Sequence, residues 1–408
     1  MNFDTIIIGG GLSGLVAGIS LQKRGQKTLV ISSGQSALHF FSGSFEFCNR
    51  RTLHSEALKR LPPEHPYSRL GAERVLEIEE KVKDFFTGAD IALSGTSGRN
   101  HYRITPLGML KPAWLTLDGY ATVPEDGKLP WKTITVANLE GFMDFQPEFI
   151  ASGLSGLGAE CRIRSISLPE LDRLRNNPSE MRSANIARAL TGNVIGTLAR
   201  RLSEQAGGSD IILMPAVLGL EDPRASRSLQ VRTDIPVRFI ATMPPSVPGI
   251  RTQMMLKSCY TKTGGTYFLG DSVSGGDFEH GRLTGIRSVN HSDKLFRADN
   301  FILASGNLFS RGLMTTSGGV FEPVFDLDTD CEQDRTAWAS RDFFDAQPYM
   351  KFGVACDRKF RAYRNGETVE NLWVCGAALP GCNAIKEGCG AGVSIITAMD
   401  VASRIAES

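Results

Sequence analysis

Residues 4–31 read DTIIIGGGLSGLVAGISLQKRGQKTLVI. A β-branched run meets Gly9-x-Gly11-x-x-Gly14, an apolar pattern of helical period follows, and a second apolar run closes the segment. This order of strand, glycine turn, helix and strand is typical of a βαβ unit that binds a nucleotide phosphate. Gly9 makes the tight turn, Gly11 lets the backbone approach the phosphate, and Gly14 lets the helix pack closely on the strand. The alternative is a glycine-rich turn in an ordinary α/β domain, which the complete pattern makes much less favourable.

The end of the second strand lacks a residue that most dinucleotide sites contain. An Asp or Glu about 20 residues beyond the glycines usually holds the ribose 2′-hydroxyl. This chain instead reads Ile31-Ser32-Ser33-Gly34-Gln35. The hydroxyls of Ser32 and Ser33 can reach a ribose, so an adenine dinucleotide stays possible, but the usual adenosine pocket is disfavoured.

Composition and charge exclude several classes of function. The 408 residues carry 45 Lys and Arg against 44 Asp and Glu, a net charge of +1. Nothing in this balance favours nucleic acid or a strongly anionic membrane surface as a partner. The longest apolar stretch beyond the N-terminal unit, residues 211–220, is too short to cross a bilayer. We therefore expect a cytoplasmic protein whose attachment to a membrane is made through a partner.

The eight cysteines are scattered, as expected of reduced cytosolic thiols. Cys375, Cys382 and Cys389 recur every seven residues, which raises the possibility of an iron–sulfur cluster. Ferredoxin-type C-x-x-C pairs and a fourth clustered cysteine are absent from the sequence. The favoured interpretation is three thiols in a glycine-rich cofactor loop, and no metal site is predicted.

Two later segments resemble parts of known flavoproteins. Residues 298–306 form an apolar run that ends Ala-Ser-Gly306, like the Ala-Thr-Gly strand of flavoproteins with a two-part Rossmann domain. Any strand with a glycine turn remains an alternative for this segment. Residues 370–378 predict a strand that ends at Gly376, before a loop and a helix.

The loop and helix resemble the closing flavin motif of the fumarate reductase and glycerophosphate dehydrogenase superfamily. Gly388, Gly390 and Gly392 would let backbone N–H groups and a helix N-terminus face the pyrimidine oxygen of a flavin, where negative charge accumulates on reduction. The predicted fold class is therefore α/β, a Rossmann-type flavoprotein with an inserted α/β domain. We place the flavin domain at residues 1–60 plus 255–408 and the inserted cap or partner domain at 61–254.

The middle of the chain alternates predicted strands and helices, and the segment after residue 265 predicts a meander of short antiparallel strands. The predicted middle strands are 133–137, 161–168, 210–217 and 237–242, and the helices are 145–157, 178–190 and 196–206. The meander strands are 266–269, 271–274 and 283–289, with a hairpin turn at 279–281.

Matches along the whole chain are more specific. The sequence resembles the family formed by the B subunit of anaerobic glycerol-3-phosphate dehydrogenase. The matching segments are 3–5, 34–40, 42–44, 65–68, 105–108, 142–146, 169–172, 174–177, 185–188, 244–247, 249–251 and 388–390.

The resemblance implies one part of a three-subunit complex that oxidises sn-glycerol 3-phosphate to dihydroxyacetone phosphate during anaerobic growth. Electrons would pass to quinone and then to fumarate or nitrate. FAD is assigned to the soluble catalytic partner, and a third, iron–sulfur component anchors the pair to the inner membrane. The family itself is associated with FMN, which suits the missing carboxylate; FAD is the alternative. A flavin-binding scaffold without turnover and an independent flavin oxidoreductase also remain open.

Oxidation of a secondary alcohol needs a hydride acceptor and a base. His39 follows the second strand, where such flavoproteins approach the isoalloxazine, so it is either a base or flavin contact or a histidine bonded within its own loop. Ser42, Gly43 and Ser44 either contact flavin or phosphate or make a turn. Arg251, and after it Lys386, are candidates for binding the substrate phosphate, although a solvated charge is the default for each.

Overall fold

The chain forms two compact units in the computed structural model, which describes residues 2–51, 53–177, 179–222 and 224–408. The first unit comprises Met1–Ala37, Glu46–Ala89 and Met255–Ser408, and the second comprises Leu38–Phe45 and Asp90–Met254.

The strands are β1 (Asn2–Ile8), β2 (Thr28–Ser32), β3 (Ser44–Phe45), β4 (Leu93–Ser94), β5 (His101–Ile104), β6 (Leu110–Ala113), β7 (Leu115–Leu117), β8 (Thr122–Val123), β9 (Thr133–Leu139), β10 (Glu160–Ile166), β11 (Ile211–Pro215), β12 (Val237–Ile240), β13 (Thr266–Leu269), β14 (Val273–Glu279), β15 (Arg282–Ser288), β16 (Arg297–Leu303), β17 (Met314–Thr316), β18 (Gly319–Phe321), β19 (Thr329–Asp330), β20 (Gly353–Val354), β21 (Arg361–Arg364) and β22 (Glu367–Val374). The α-helices are α1 (Leu12–Gln22), α2 (His54–Leu58), α3 (Pro66–Leu70), α4 (Ala72–Thr87), α5 (Pro147–Gly156), α6 (Asp172–Arg175), α7 (Ser183–Ala189), α8 (Asn193–Gln205), α9 (Arg224–Arg232), α10 (Val247–Lys262), α11 (Ala384–Glu387) and α12 (Gly390–Glu407). Short 3-10 turns include Ala37–Phe40 and Gly376–Ala378.

The first unit is built on a six-stranded sheet in the order β13-β2-β1-β16-β22-β21. The first five strands run parallel and β21 is antiparallel. Ile6, Ile7 and Ile8 in β1 are buried, as expected of a central parallel strand covered on both faces. Helix α1 packs against α12. The predicted βαβ unit at 4–31 is confirmed, and so is the Rossmann-type fold.

One predicted strand has the wrong orientation. Residues 266–269 were expected to begin an antiparallel meander, but β13 pairs in parallel with β2, with Tyr267 opposite Val30. The cause is the preceding helix α10, which returns the chain to the starting end of the sheet, as a crossover connection requires. The hairpin expected at 279–281 does form, between β14 and β15.

The compact units differ from the predicted domain division in two places. Residues 61–89 were assigned to the inserted domain but belong to the first unit. The physical reason is α4, whose Arg74 donates to buried Asp400 of α12 at 2.8 Å and whose Glu79 lies 2.8 Å from buried His54. Residues 38–45 belong to the second unit because β3 pairs with β7.

The second unit contains a parallel sheet in the order β10-β9-β11-β12 and two small three-stranded sheets. The four strands of the parallel sheet match the strands predicted there, and α5 and α8 match the helices predicted at 145–157 and 196–206. Of the helix predicted at 178–190, only α7 (Ser183–Ala189) forms within the described residues, and Pro178 lies outside them. The eight cysteines all lie within the described residues, and no disulfide joins any of them there. Across the described residues, no helix combines the length and apolar character needed to span a bilayer.

His101 of β5 provides a pH-dependent contribution to stability. Burial lowers its pKa from 6.5 to about 4. Since the unfolded chain binds this proton near pH 6.5 and the folded chain only near pH 4, stability falls as the pH drops between these values. We expect a loss of up to about 3 kcal/mol, seen as a lower thermal midpoint at pH 4.5 than at pH 7.

His101→Gln is the matched control, because an amide can still bond the neighbouring Thr116 hydroxyl, which lies 2.7 Å from Nε2. The variant should show a flatter pH dependence than the wild type. An NMR titration of His101 centred near pH 6.5 would contradict the prediction.

Candidate flavin site

The carboxyl ends of four neighbouring parallel strands, β2, β1, β16 and β22, meet at one edge of the first unit's sheet. Backbone hydrogen bonds continue past the strand ends: Gly9 donates to Ile31 at 2.9 Å, Ala304 to Ile8 at 2.8 Å, and Cys375 to Leu303 at 3.2 Å. Ligands of open parallel sheets bind at this edge. The edge brings together segments that lie almost 370 residues apart in the sequence. The predicted cofactor-binding residues on this edge are Gly9, Gly11, Ser32, Ser33, Gly306 and Gly376.

The glycine turn has the shape that a phosphate requires. Gly9 has a φ of +116°, and a Cβ at Gly14 would overlap the carbonyl oxygen of Gly9. Beside Gly11 there is room, because a Cβ there would meet only the Cβ of Ser36, at 3.6 Å. Helix α1 begins just after Gly11, and no side chain of the described residues caps it. An uncapped helix N-terminus beside an open glycine fits an anionic phosphate.

At the end of β2, protein groups occupy the predicted ribose contact. The hydroxyl of buried Ser32 donates to the carbonyl oxygen of Gly34 at 3.2 Å and also hydrogen-bonds Tyr267. The Tyr267 hydroxyl lies so close to Gly10 that a Cβ there would overlap it. Burial raises the pKa of Tyr267, so its hydroxyl is neutral. Ser33 is exposed. Sequence reasoning missed Tyr267, because only the parallel pairing of β13 brings it here.

The C-terminal glycines have different roles. Gly376 follows β22, donates to the hydroxyl of Thr397 at 2.9 Å, and could not carry a Cβ without overlapping the Ser13 hydroxyl. Gly388 has a φ of +58°, and α12 begins at Gly390. Gly306 lies against the side chain of Ser310.

The predicted role of the Gly392 N–H is wrong. This group donates to the carbonyl oxygen of Glu46 at 2.9 Å instead of facing a ligand. A Cβ at Gly392 would also overlap the hydroxyl of Tyr67. Close packing of α12 on residues 46–67 therefore requires this glycine.

Lys386 lies in α11, next to these glycines. Its ammonium donates to the carbonyl oxygen of Phe344, and its N–H donates to the side chain of Asn383 at 3.1 Å. The charge is thus held by the first unit's own backbone, which weakens the case for a phosphate contact.

His39 belongs to the second unit, in the 3-10 turn Ala37–Phe40. Its carbonyl oxygen accepts from the N–H of Ser246 at 2.8 Å. Burial lowers the pKa of the imidazole, and a hydrogen bond with Gln253 opposes part of this effect. A neutral imidazole at neutral pH is the form that a general base needs.

Ser42, Gly43 and Ser44 also lie in the second unit. The Ser44 hydroxyl is buried and bonds Thr116 at 2.8 Å, so its expected contact with a cofactor is replaced by a bond inside the protein. Gly43 has a φ of +84° and packs on the ring of Tyr120. Ser42 is half-buried. The turn interpretation accounts for Gly43, whereas Ser44 begins strand β3.

Arg251 lies in the first turns of α10 and is half-buried. Within the described chain, no carboxylate lies within ion-pair distance of it. The guanidinium packs near Gly219. Burial raises the pKa of Tyr120, and the positive charge of Arg251 offsets part of this rise. A half-buried guanidinium without a counter-ion is suited to bind an external anion.

Comparisons with known proteins identify the family of the chain. A family model described as an FAD binding domain matches residues 4–393. The chain is 40% identical to the B subunit of anaerobic glycerol-3-phosphate dehydrogenase from Yersinia enterocolitica, over 99% of this chain and 98% of the relative. It is 38% identical to the protein of the same name from Pectobacterium carotovorum, over 99% of each.

Among solved structures, 3-ketosteroid delta1-dehydrogenase from Sterolibacterium denitrificans aligns over 100% of this chain and 99% of its own, at 10% identity and a TM-score of 0.45. That likeness is too low to inform function. The full-length relatives and the family model are decisive: the chain belongs to the FAD binding domain family and, within it, to the oxidoreductase family formed by the B subunit of anaerobic glycerol-3-phosphate dehydrogenase.

Proposed function

We propose that this chain is the flavin-binding subunit of a quinone-linked anaerobic sn-glycerol-3-phosphate dehydrogenase. The observation that carries the proposal is the open glycine turn at Gly11, beside the uncapped N-terminus of α1. The complex would oxidise glycerol 3-phosphate to dihydroxyacetone phosphate and pass electrons toward fumarate or nitrate. Its other members would be a catalytic subunit that contains FAD and an iron–sulfur subunit through which this chain reaches the inner membrane.

We propose FMN as the cofactor, with FAD as the alternative. FMN needs only one phosphate site, which the turn at Gly11 provides. FAD also needs a place for its adenosine, usually held by a carboxylate at the end of the second strand. Here that position is Ser32, whose hydroxyl is already bonded, and Tyr267 covers the neighbouring Gly10. These contacts support the smaller flavin.

A bound flavin would supply a hydride acceptor. His39, neutral at physiological pH, would take the hydroxyl proton of the alcohol, and Arg251 would hold the substrate phosphate. Lys386 is the weaker phosphate candidate because its ammonium is bonded to Phe344. If the FAD-containing partner performs the hydride step, this chain relays electrons instead.

The identity of the flavin tests the proposal directly. The chain should purify with the absorbance of an oxidised flavin and release FMN on denaturation, identified by mass spectrometry. Release of FAD would refute the choice of FMN. A colourless chain that cannot be loaded with either flavin would remove the proposed function and leave a scaffold.

Tyr267 tests why FMN is preferred. Tyr267→Ala should improve FAD binding relative to FMN by about tenfold, or about 1.4 kcal/mol, because space opens beside Gly10. Tyr267→Phe is the intermediate variant: it keeps the ring but removes the hydroxyl beside Gly10, so it should change the preference less than Tyr267→Ala. An unchanged ratio in Tyr267→Ala would show that this side chain does not select the flavin.

Gly11 and Gly14 should respond differently to the same substitution. Gly11→Val fits the protein but fills the phosphate space, so we expect a folded chain with little flavin. Gly14→Val forces a side chain into the carbonyl oxygen of Gly9, so we expect loss of the folded first unit. Circular dichroism and flavin content measure the two effects. Full flavin occupancy in Gly11→Val would place the phosphate elsewhere.

Arg251 should affect substrate binding in the reconstituted complex. Arg251→Ala should raise KM for glycerol 3-phosphate by roughly 10- to 100-fold, since a hydrogen bond to a charged group contributes about 1.5–3 kcal/mol. Arg200→Ala is the control, because Arg200 is exposed and paired with Glu204 at 2.7 Å. An unchanged KM in Arg251→Ala would leave Arg251 without a substrate role.

A further inference from the structure

Three buried side chains outside the proposed catalytic machinery converge in the first unit. The ring nitrogen of His65 and the sulfurs of Cys382 and Cys389 all lie within 4.8 Å of one another. Their exposed fractions are 0%, 8% and 2%. Spacing along the chain did not reveal the group, because His65 is more than 300 residues from the cysteines.

A carboxylate lies beside the cluster. Oε2 of Glu387 lies 3.2 Å from Nε2 of His65 and 3.9 Å from the sulfur of Cys389. Its side chain is 26% exposed, so it connects the buried sulfurs to solvent. The backbone that carries it is fixed, since the Glu387 carbonyl accepts from Asn49 at 2.7 Å and Asn383 caps α11. The donors are therefore held in place before any ligand arrives.

The hydrogen bonding of His65 decides its role. Nδ1 accepts from the N–H of Tyr67 at 3.1 Å, so in the neutral ring the proton is on Nε2. Nε2 lies 3.2 Å from the Glu387 carboxylate but has no hydrogen-bond partner among the described residues, and a protonated nitrogen cannot ligate a metal. His65 is thus a partner that orients a ligand, and the ligating set is Cys382, Cys389 and Glu387. Outer partners of this kind are common around protein metal sites.

We propose that Cys382, Cys389 and Glu387 bind one thiophilic divalent cation of the zinc type, with His65 beside the carboxylate. Two thiolates and a carboxylate suit Zn²⁺, and three protein ligands leave one position for water. Binding releases one proton from each thiol and changes no oxidation state. A four-iron cluster would need four thiolates, and a magnesium or calcium ion would need mostly oxygen ligands.

The ion would tie together the loop that precedes α12. Cys382 lies before α11, and Cys389 is the residue from which α12 starts. Cys382 and Cys389 are seven positions apart, so one metal ion bound to both would restrict the backbone of Gly388 and Gly390. The proposal stands without any assumption about flavin or substrate.

The test uses the full chain, purified with a thiol reductant and without chelator. Elemental analysis should find about one zinc per chain after gel filtration. Cobalt(II) added to metal-free protein should give an intense near-ultraviolet band from sulfur-to-cobalt charge transfer. Both signals should be lost in Cys382→Ser and Cys389→Ser and kept in Cys161→Ser, which removes a cysteine of the second unit.

His65→Gln separates the two roles of His65. We expect the cobalt band to persist while zinc affinity falls about 10- to 100-fold, as for loss of an outer partner. Circular dichroism checks that the variants fold. The zinc and cobalt measurements on the wild-type chain test the proposal even if a variant does not fold. The proposal is overturned if the reduced wild type binds neither zinc nor cobalt with sulfur ligation. It is also overturned if mass spectrometry finds a Cys382–Cys389 disulfide and reduction restores no metal binding, which would identify a redox pair instead.

Discussion

The close backbone contact between Gly14 and the carbonyl oxygen of Gly9 is the constraint on which the first unit depends. It brings α1 against the turn after β1, so the N-terminus of the helix opens at the edge of the sheet. A side chain at Gly14 would push the helix away from this turn, and one at Gly9 would overlap the carbonyl oxygen of Ala304. The same helix then packs against α12, whose start carries the second group of glycines. One short contact thereby sets the position of both glycine loops.

The parallel sheet explains why distant segments meet. Its strands β13, β2, β1, β16 and β22 run in one direction, so every loop after a carboxyl end lies along one edge. The turn at Gly9 and the loop at Gly376 come from opposite ends of the chain, yet the Ser13 side chain of α1 lies against Gly376. The second unit interrupts this sheet in sequence without adding a strand to it.

The loop between β22 and α12 combines two kinds of chemistry. Gly388 and Gly390 pack closely on Asn49 and Ala384 at the start of α12, while Cys382 and Cys389 lie next to buried His65. Hydrogen bonds fix the positions of His65 and α11: the Tyr67 N–H donates to Nδ1 of His65, and Asn383 caps α11.

The sequence by itself determined the βαβ unit, the flavin-type glycine loops and the family, because these depend on local turn geometry and on side-chain periodicity near each residue. It identified β16 and β22 for the same reason. It could not determine the direction of β13, the assignment of α4 to the first unit, or the bonds that occupy Ser44 and the Gly392 N–H. Those depend on partners far away in the chain: β2 for β13, Asp400 for α4, Thr116 for Ser44 and Glu46 for Gly392. The sequence also could not reveal the position of Tyr267 or the thiol cluster, since only tertiary packing brings Tyr267 to Gly10 and His65 to the cysteines.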